Sequence, residues 1–102
     1  MNDKTLAMHF SALAHPRRAL IFRVLALRPE LGANQKTLLD ATAIPYASFA
    51  HHMARLERAG LIRRRASRRG VSYEVSPGAF ADSMRTALRL SESAGPRPAR
   101  AA

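Results

Sequence analysis

A mainly α-helical domain with one small β-hairpin is the fold class the sequence predicts, and three observations predict it. Large apolar residues recur at helical spacing in four separate stretches of the first sixty positions. Two short β-prone runs then flank Ser67-Arg68-Arg69-Gly70. A last apolar stripe of Phe80, Met84, Ala87 and Leu88 follows them. The expected order is four helices, a hairpin and one more helix. With 102 residues there is room for one domain, expected over residues 1–92, and a monomer of this size leans on a partner to bury enough surface.

Residues 4–14 set Leu6, Phe10 and Leu13 on one face with Ala7 and Ala14 beside them, the narrow stripe of an amphipathic helix. Pro16 suits the first position of a second helix, where its missing N–H costs nothing. Leu20, Ile21, Val24 and Leu25 give that helix a broad apolar face before Pro29 and Gly32 break the pattern. A third, short helix is expected from Gln35 to Thr42 with Leu38 and Leu39 inward, and Ala43-Ile44-Pro45 turns the chain into a fourth. Two short helices joined so tightly read as a helix-turn-helix. In the fourth, Phe49, Met53 and Leu56 form the buried face and leave Tyr46, Ala47, Ser48, His51, His52 and Arg55 largely off it. Gly60 ends this helix as a left-handed cap. LIRRRASRRGVSYEV supplies the hairpin, a basic wing beside the fourth helix. Ser76 is expected to cap the last helix and Pro77 to open it. From Ser93 onward, SAGPRPARAA is expected to form a disordered tail over residues 93–102.

Charge indicates what this shape meets. The formal net charge is +10, and seven arginines against Glu57 and Glu74 place half of it between Pro45 and Val75. A cluster of this kind on a helix and the hairpin after it is the electrostatic footprint of phosphate binding, so duplex DNA is the expected partner. A membrane surface would call for a basic amphipathic helix instead, and here the arginines lie mostly on the hairpin. Neither a signal-peptide core nor a long apolar span is evident, which gives the expectation of a cytoplasmic protein associated with the bacterial nucleoid. Cysteine is absent, so disulfides, thiolate metal sites and thiol switches are excluded. No phosphate-cradling loop, H-E-x-x-H or dinucleotide fingerprint occurs, and no enzymatic activity or cofactor is expected.

Taken together, ALAHPRRALIFRVL, TLLDATAIPYASFAHHMARLERAGLIRRR and GVSYEVSP resemble the ArsR family of bacterial winged helix-turn-helix regulators over roughly residues 11–77. HHMARLERAGLI is the most specific piece. The resemblance implies a homodimer built from the first and last helices, with two reading helices presented to one face of an operator and repression relieved by a ligand or metal. It also brings departures. Where family metal sensors carry a cysteine pair, this chain has Asn34 and Lys36, and its last helix offers Asp82 and Glu92 but no histidine. No metal site is expected. Positions where relatives place DNA-contacting serines are Ala47 and Ala50, and a glutamine-like position is Tyr46, so base preference should differ.

The expected DNA-contacting set is Lys36, Tyr46, Ala47, Ser48, His51, His52, Arg55, Arg65, Arg68 and Arg69. Adjacent helical residues point about 100° apart, so His51 and His52 do not chelate one ion; His51 is placed in the groove, and His52 is either packed or on a phosphate. Tyr46 lies either on DNA or over the turn beside Ile44. His15 flanks a helix, and His9 lacks a third ligand at a convincing spacing within the chain, which leaves a site shared between two subunits open. Leu6, Phe10, Leu13, Phe80, Met84 and Leu88 are expected at the dimer seam. The expected function is a sequence-specific regulator, a homodimeric repressor on an inverted-repeat operator, with a small-molecule inducer left open. The alternatives are a non-specific architectural DNA-binding protein and a module whose positive hairpin binds an acidic protein.

Overall fold

Four helices, a two-stranded antiparallel hairpin and a fifth helix follow one another in the predicted order. The computed structural model describes residues 2–94, which form α1 (Asp3–Leu13), α2 (Pro16–Ala26), α3 (Gln35–Thr42), α4 (Tyr46–Arg58), β1 (Ile62–Ser67), β2 (Gly70–Val75) and α5 (Ala79–Ala94). Each of the first three helices begins on a side-chain cap: Asn2 accepts from the Thr5 N–H, His15 from Arg17 and Asn34 from Thr37. Pro16 occupies the first turn of α2 as its ring geometry favours. Ala43 closes α3 in the left-handed region at φ 55°, which makes the turn into α4 tight. Gly60, at φ 74°, ends the α4 segment.

The core is where α2, α3, α4 and the base of the hairpin meet. Ile21 and Leu25 from α2, Leu38 from α3, Phe49 and Leu56 from α4, and Leu61 and Ile62 leading into β1 are buried together. Full burial of each such side chain contributes about 1.5–3 kcal/mol. The hairpin pairs Ile62 with Val75 and Ser67 with Gly70, leaving Arg68 and Arg69 as a two-residue tip. Gly70, at φ 112°, supplies the backbone conformation that this tip requires. The result is a winged helix-turn-helix.

One glycine fastens the wing to the helix-turn-helix. Ala33 and Tyr73 exchange two backbone hydrogen bonds, of 3.0 and 2.8 Å, so the segment before α3 lies alongside β2. Gly32, at φ +59°, precedes this bridge, and a Cβ there would stand 2.5 Å from the Tyr73 carbonyl oxygen. Gly60 shares the positive φ but has nothing within 4 Å of such a Cβ. Gly60→Ala is expected to cost about 1 kcal/mol for conformation alone and Gly32→Ala about 2 kcal/mol. Equal losses in urea titration would show that the Tyr73 strand yields freely.

Two expectations about the ends are corrected. Ser76 does not cap α5, and Pro77 does not open it, because Gly78, at φ 78°, turns the chain out of helical conformation after them, while the Ser76 N–H donates to the Leu61 carbonyl. The helix starts at Ala79, and the Gly78 carbonyl accepts from Asp82 at 3.0 Å. At the other end α5 includes Ser93 and Ala94, so the boundary after residue 92 falls inside the helix. The remainder of the expected tail, residues 95–102, lies outside the described residues.

In α1 the inward face is centred on His9 and Ala12 and not on Phe10. His9 Nδ1 meets the buried Ser83 hydroxyl, which ties α1 to α5. Phe80 stands edge-on to His9, Phe10 and Phe22, with ring centroids 6.1, 5.9 and 5.3 Å away. No described helix is long and apolar enough to cross a membrane.

Candidate nucleic-acid interface

The start of α4 carries an exposed strip of small and polar side chains. Tyr46, Ala47, Ala50 and His51 are exposed because Phe49, His52, Met53 and Leu56 take the opposite face into the core. No side chain caps α4; the Ser48 N–H donates to the Pro45 carbonyl at 3.1 Å, and the N–H groups of Tyr46 and Ala47 and the positive end of the helix dipole remain available to an anion. Tyr46 is 63 % exposed, which puts it outside the turn and not over Ile44. The Ser48 hydroxyl donates to the Pro45 carbonyl and accepts from Arg17 Nη1, both at 3.1 Å.

Arg17 is the site residue that sequence reading missed. It is 31 positions from Ser48, and the helix-turn-helix fold alone brings the two together. The one signal was an arginine next to the proline that opens α2, with no acidic residue nearby in sequence to neutralise it.

His52 is corrected as an interface residue. It is 5 % exposed, and its Nδ1 lies 3.5 Å from Nη1 of Arg18, itself 9 % exposed. The His15 ring is 4.5 Å from that of His52 and the His51 ring 5.7 Å away, centroid to centroid. Burial first, then the positive field of His15, Arg18, His51 and Arg17, lowers the His52 pKa below 6.5. Among the described residues no group of three or more His, Cys, Asp or Glu side chains is placed to hold a metal ion.

The wing divides its arginines into two kinds. Arg63 and Arg65 both bind Glu74, at 2.5 and 3.4 Å, and Arg64 binds Glu57 at 3.2 Å. The hydrogen bond from Arg63 leads the effects that hold the Glu74 carboxyl below its ordinary range. Arg65 is therefore half-neutralised. Arg68 and Arg69, at the tip, have no side-chain ion pair with any described residue. The Arg69 N–H donates to Ser67 Oγ, which fixes the turn and leaves both guanidinium groups to solvent. A cleft of about 220 Å³ lined by Asn34, Thr37, Ser67 and Arg69 sets this tip beside the start of α3. Lys36 lies in that first turn, bound to Asp40 at 2.9 Å in an exposed pair. Arg55 stands apart, in a groove between α1 and the far end of α4.

The expected seam residues divide as well. Phe10, Met84 and Leu88 are exposed by 40, 46 and 57 %, whereas Leu6, Leu13 and Phe80 are half-buried. Leu13 and Phe80 pack on the chain's own core.

Comparison of the fold with solved structures finds the same architecture. An ArsR-like transcriptional regulator from Rhodococcus sp. RHA1 is similar with a TM-score of 0.76 at 21 % identity, over 88 % of this chain and 82 % of that one. A crystal structure of an ArsR family transcriptional regulator gives 0.75 at 23 %, over 92 % and 93 %. The solution structure of a homodimeric winged helix-turn-helix DNA-binding domain from Mycobacterium bovis gives 0.67 at 18 %, over 92 % and 90 %. No protein-family model and no curated protein matches the chain. The fold is thus that of ArsR-type winged helix-turn-helix proteins, reached at low sequence identity.

Proposed function

We propose that this protein is a sequence-specific, double-stranded-DNA-binding transcriptional regulator of the ArsR type, acting in the bacterial cytoplasm at the nucleoid. It acts as a homodimeric repressor on an inverted-repeat operator, and a small-molecule inducer releases it. The observation that carries the reading is the uncapped start of α4, with Tyr46, Ala47, Ser48 and His51 around it, beside a wing tip bearing two unpaired arginines. The similar structures that are named as regulators, one of them a homodimer, support it. Alanine methyl groups suit thymine methyls, the Ser48 hydroxyl, whose proton is on the Pro45 carbonyl, accepts at a base edge, and Arg17 joins Arg68 and Arg69 as a phosphate contact. This reading assigns the protein no catalytic reaction and no cofactor.

Affinity and specificity are expected to separate. Arg68→Ala with Arg69→Ala should weaken binding to every duplex and reduce the salt slope by about two phosphate contacts, while Ser48→Ala or His51→Ala should change base preference. Selected operator and random duplex are titrated at matched salt. An unaltered slope in the wing variant would remove those arginines from the interface, and equal affinity of the wild type for both duplexes would favour an architectural DNA-binding protein.

A further inference from the structure

Lys4, from the first turn of α1, and Arg55 and Arg58, from the last turns of α4, line one groove of about 540 Å³ whose floor includes Ala7, Met8 and Ala12. We infer that this groove binds an amphiphilic organic anion, an apolar body carrying a carboxylate, and that this anion is the effector. The inference rests on the regulator reading above for the word effector, but not for the binding itself.

The charges argue for the ligand's head. Lys36, Arg63, Arg64, Arg65 and Arg85 each hold a carboxylate. Lys4, Arg55 and Arg58 hold none among the described residues, nor do Arg17, Arg18, Arg23, Arg28, Arg68, Arg69 and Arg89; what sets these three apart is that they line one groove. The negative C-terminal end of α4 accounts for two arginines standing there. It does not account for Lys4, which sits at the positive end of α1, where its own helix dipole disfavours a cation. An anion between the helices resolves all three at once. The floor argues for the ligand's body, because alanines and one adaptable methionine offer apolar contact that an inorganic ion would leave unused. Arg55 stands on the reading helix, so an anion held between α1 and the last turns of α4 bears on how that helix is presented to DNA.

Octanoate is the probe, with acetate as head without body and octan-1-ol as body without head, and amide chemical shifts of the full chain are the readout. Octanoate should shift the amides of Ala7, Met8, Ser11 and Ala59 in a saturable way, and neither control should do so at equal concentration. Lys4→Gln with Arg58→Gln should weaken octanoate at least tenfold while the melting temperature stays put; Met8→Glu, which puts a like charge on the floor, should do the same. Octanoate should also lower operator affinity in the wild type and not in the double variant. Equal shifts with octan-1-ol, retained affinity in both variants, or shifts confined to Phe10, Met84 and Leu88 would overturn the assignment. So would movement of the groove amides on dilution without ligand, which would give the groove to a second copy of the chain. Loss of octanoate binding with operator preference intact refutes the inference alone. Absent operator preference in the unliganded protein refutes the regulator reading, and octanoate binding is still measured separately.

Discussion

Changing Met84 and Leu88 together to Glu is expected to turn a dimer into a folded monomer that still binds DNA but no longer prefers an operator. Both side chains lie on α5 and are about half exposed in the single chain, so the chain's own core loses little and surface-scale losses of within about 0.5 kcal/mol are expected for the fold. Across a two-fold axis the same changes bring carboxylates against their own copies in an apolar patch. Like charge so placed costs about 3–5 kcal/mol, more than a hundredfold in the dimer constant. Phe10, 40 % exposed beside Phe80, continues the patch from α1. A dimer through this patch would set paired reading helices about 34 Å apart, one turn of duplex, so the operator should be an inverted repeat of that spacing. Sedimentation and operator titration of the double variant decide the matter. A dimer with intact preference would place the seam on other residues.

Periodicity made most of the architecture legible. Apolar spacing located α2, α3 and α4 to within a residue or so, and Ser67-Arg68-Arg69-Gly70 located the hairpin tip, because each depends on neighbours close in sequence. The failures arise where long-range partners decide. Ser76 and Pro77 look like a helix start, yet Ser76 is tied to the Leu61 carbonyl, fifteen residues earlier, and the left-handed Gly78 delays the helix to Ala79. The stripe of α1 was read through its largest residue, Phe10, while burial follows His9, whose partner Ser83 is 74 positions away. For His52 the sequence leaves packing and phosphate contact open, and only the fold, which buries it beside Arg18, decides for packing. The site divides the same way. Its exposed strip on α4 follows from the buried one, but the pairing of Arg17 with Ser48 and the neutralisation of Arg65 by Glu74 require the fold.

Arg18→Ala is expected to cost about 3 kcal/mol or more near pH 8, and the loss should shrink on acidification. Arg18 is a buried arginine with no carboxylate at hand; its Nε donates to the Ala12 carbonyl at 2.6 Å, at the end of α1, where helical carbonyls lack partners of their own. Removing a charged hydrogen bond of this kind costs about 1.5–3 kcal/mol, and each buried methylene of the stem adds about 0.8. The pH dependence follows from His52, whose pKa is lowered in the fold by burial first and then by its cationic neighbours, Arg18 among them. A lowered histidine pKa means that the unfolded chain binds the proton more readily. Stability is therefore complete above the ordinary value of 6.5 and falls as pH drops toward the folded value. Without Arg18 the shift is smaller, so the variant loses less on acidification and its deficit narrows between pH 8 and pH 5. Arg18→Met, which keeps most of the stem, should lose less stability than Arg18→Ala at pH 8 and show the same narrowing. Urea titrations of the three proteins across this range test both parts. A deficit independent of pH would separate Arg18 from His52 electrostatically, and an absent deficit would mean that the guanidinium does not hold the end of α1 against α2.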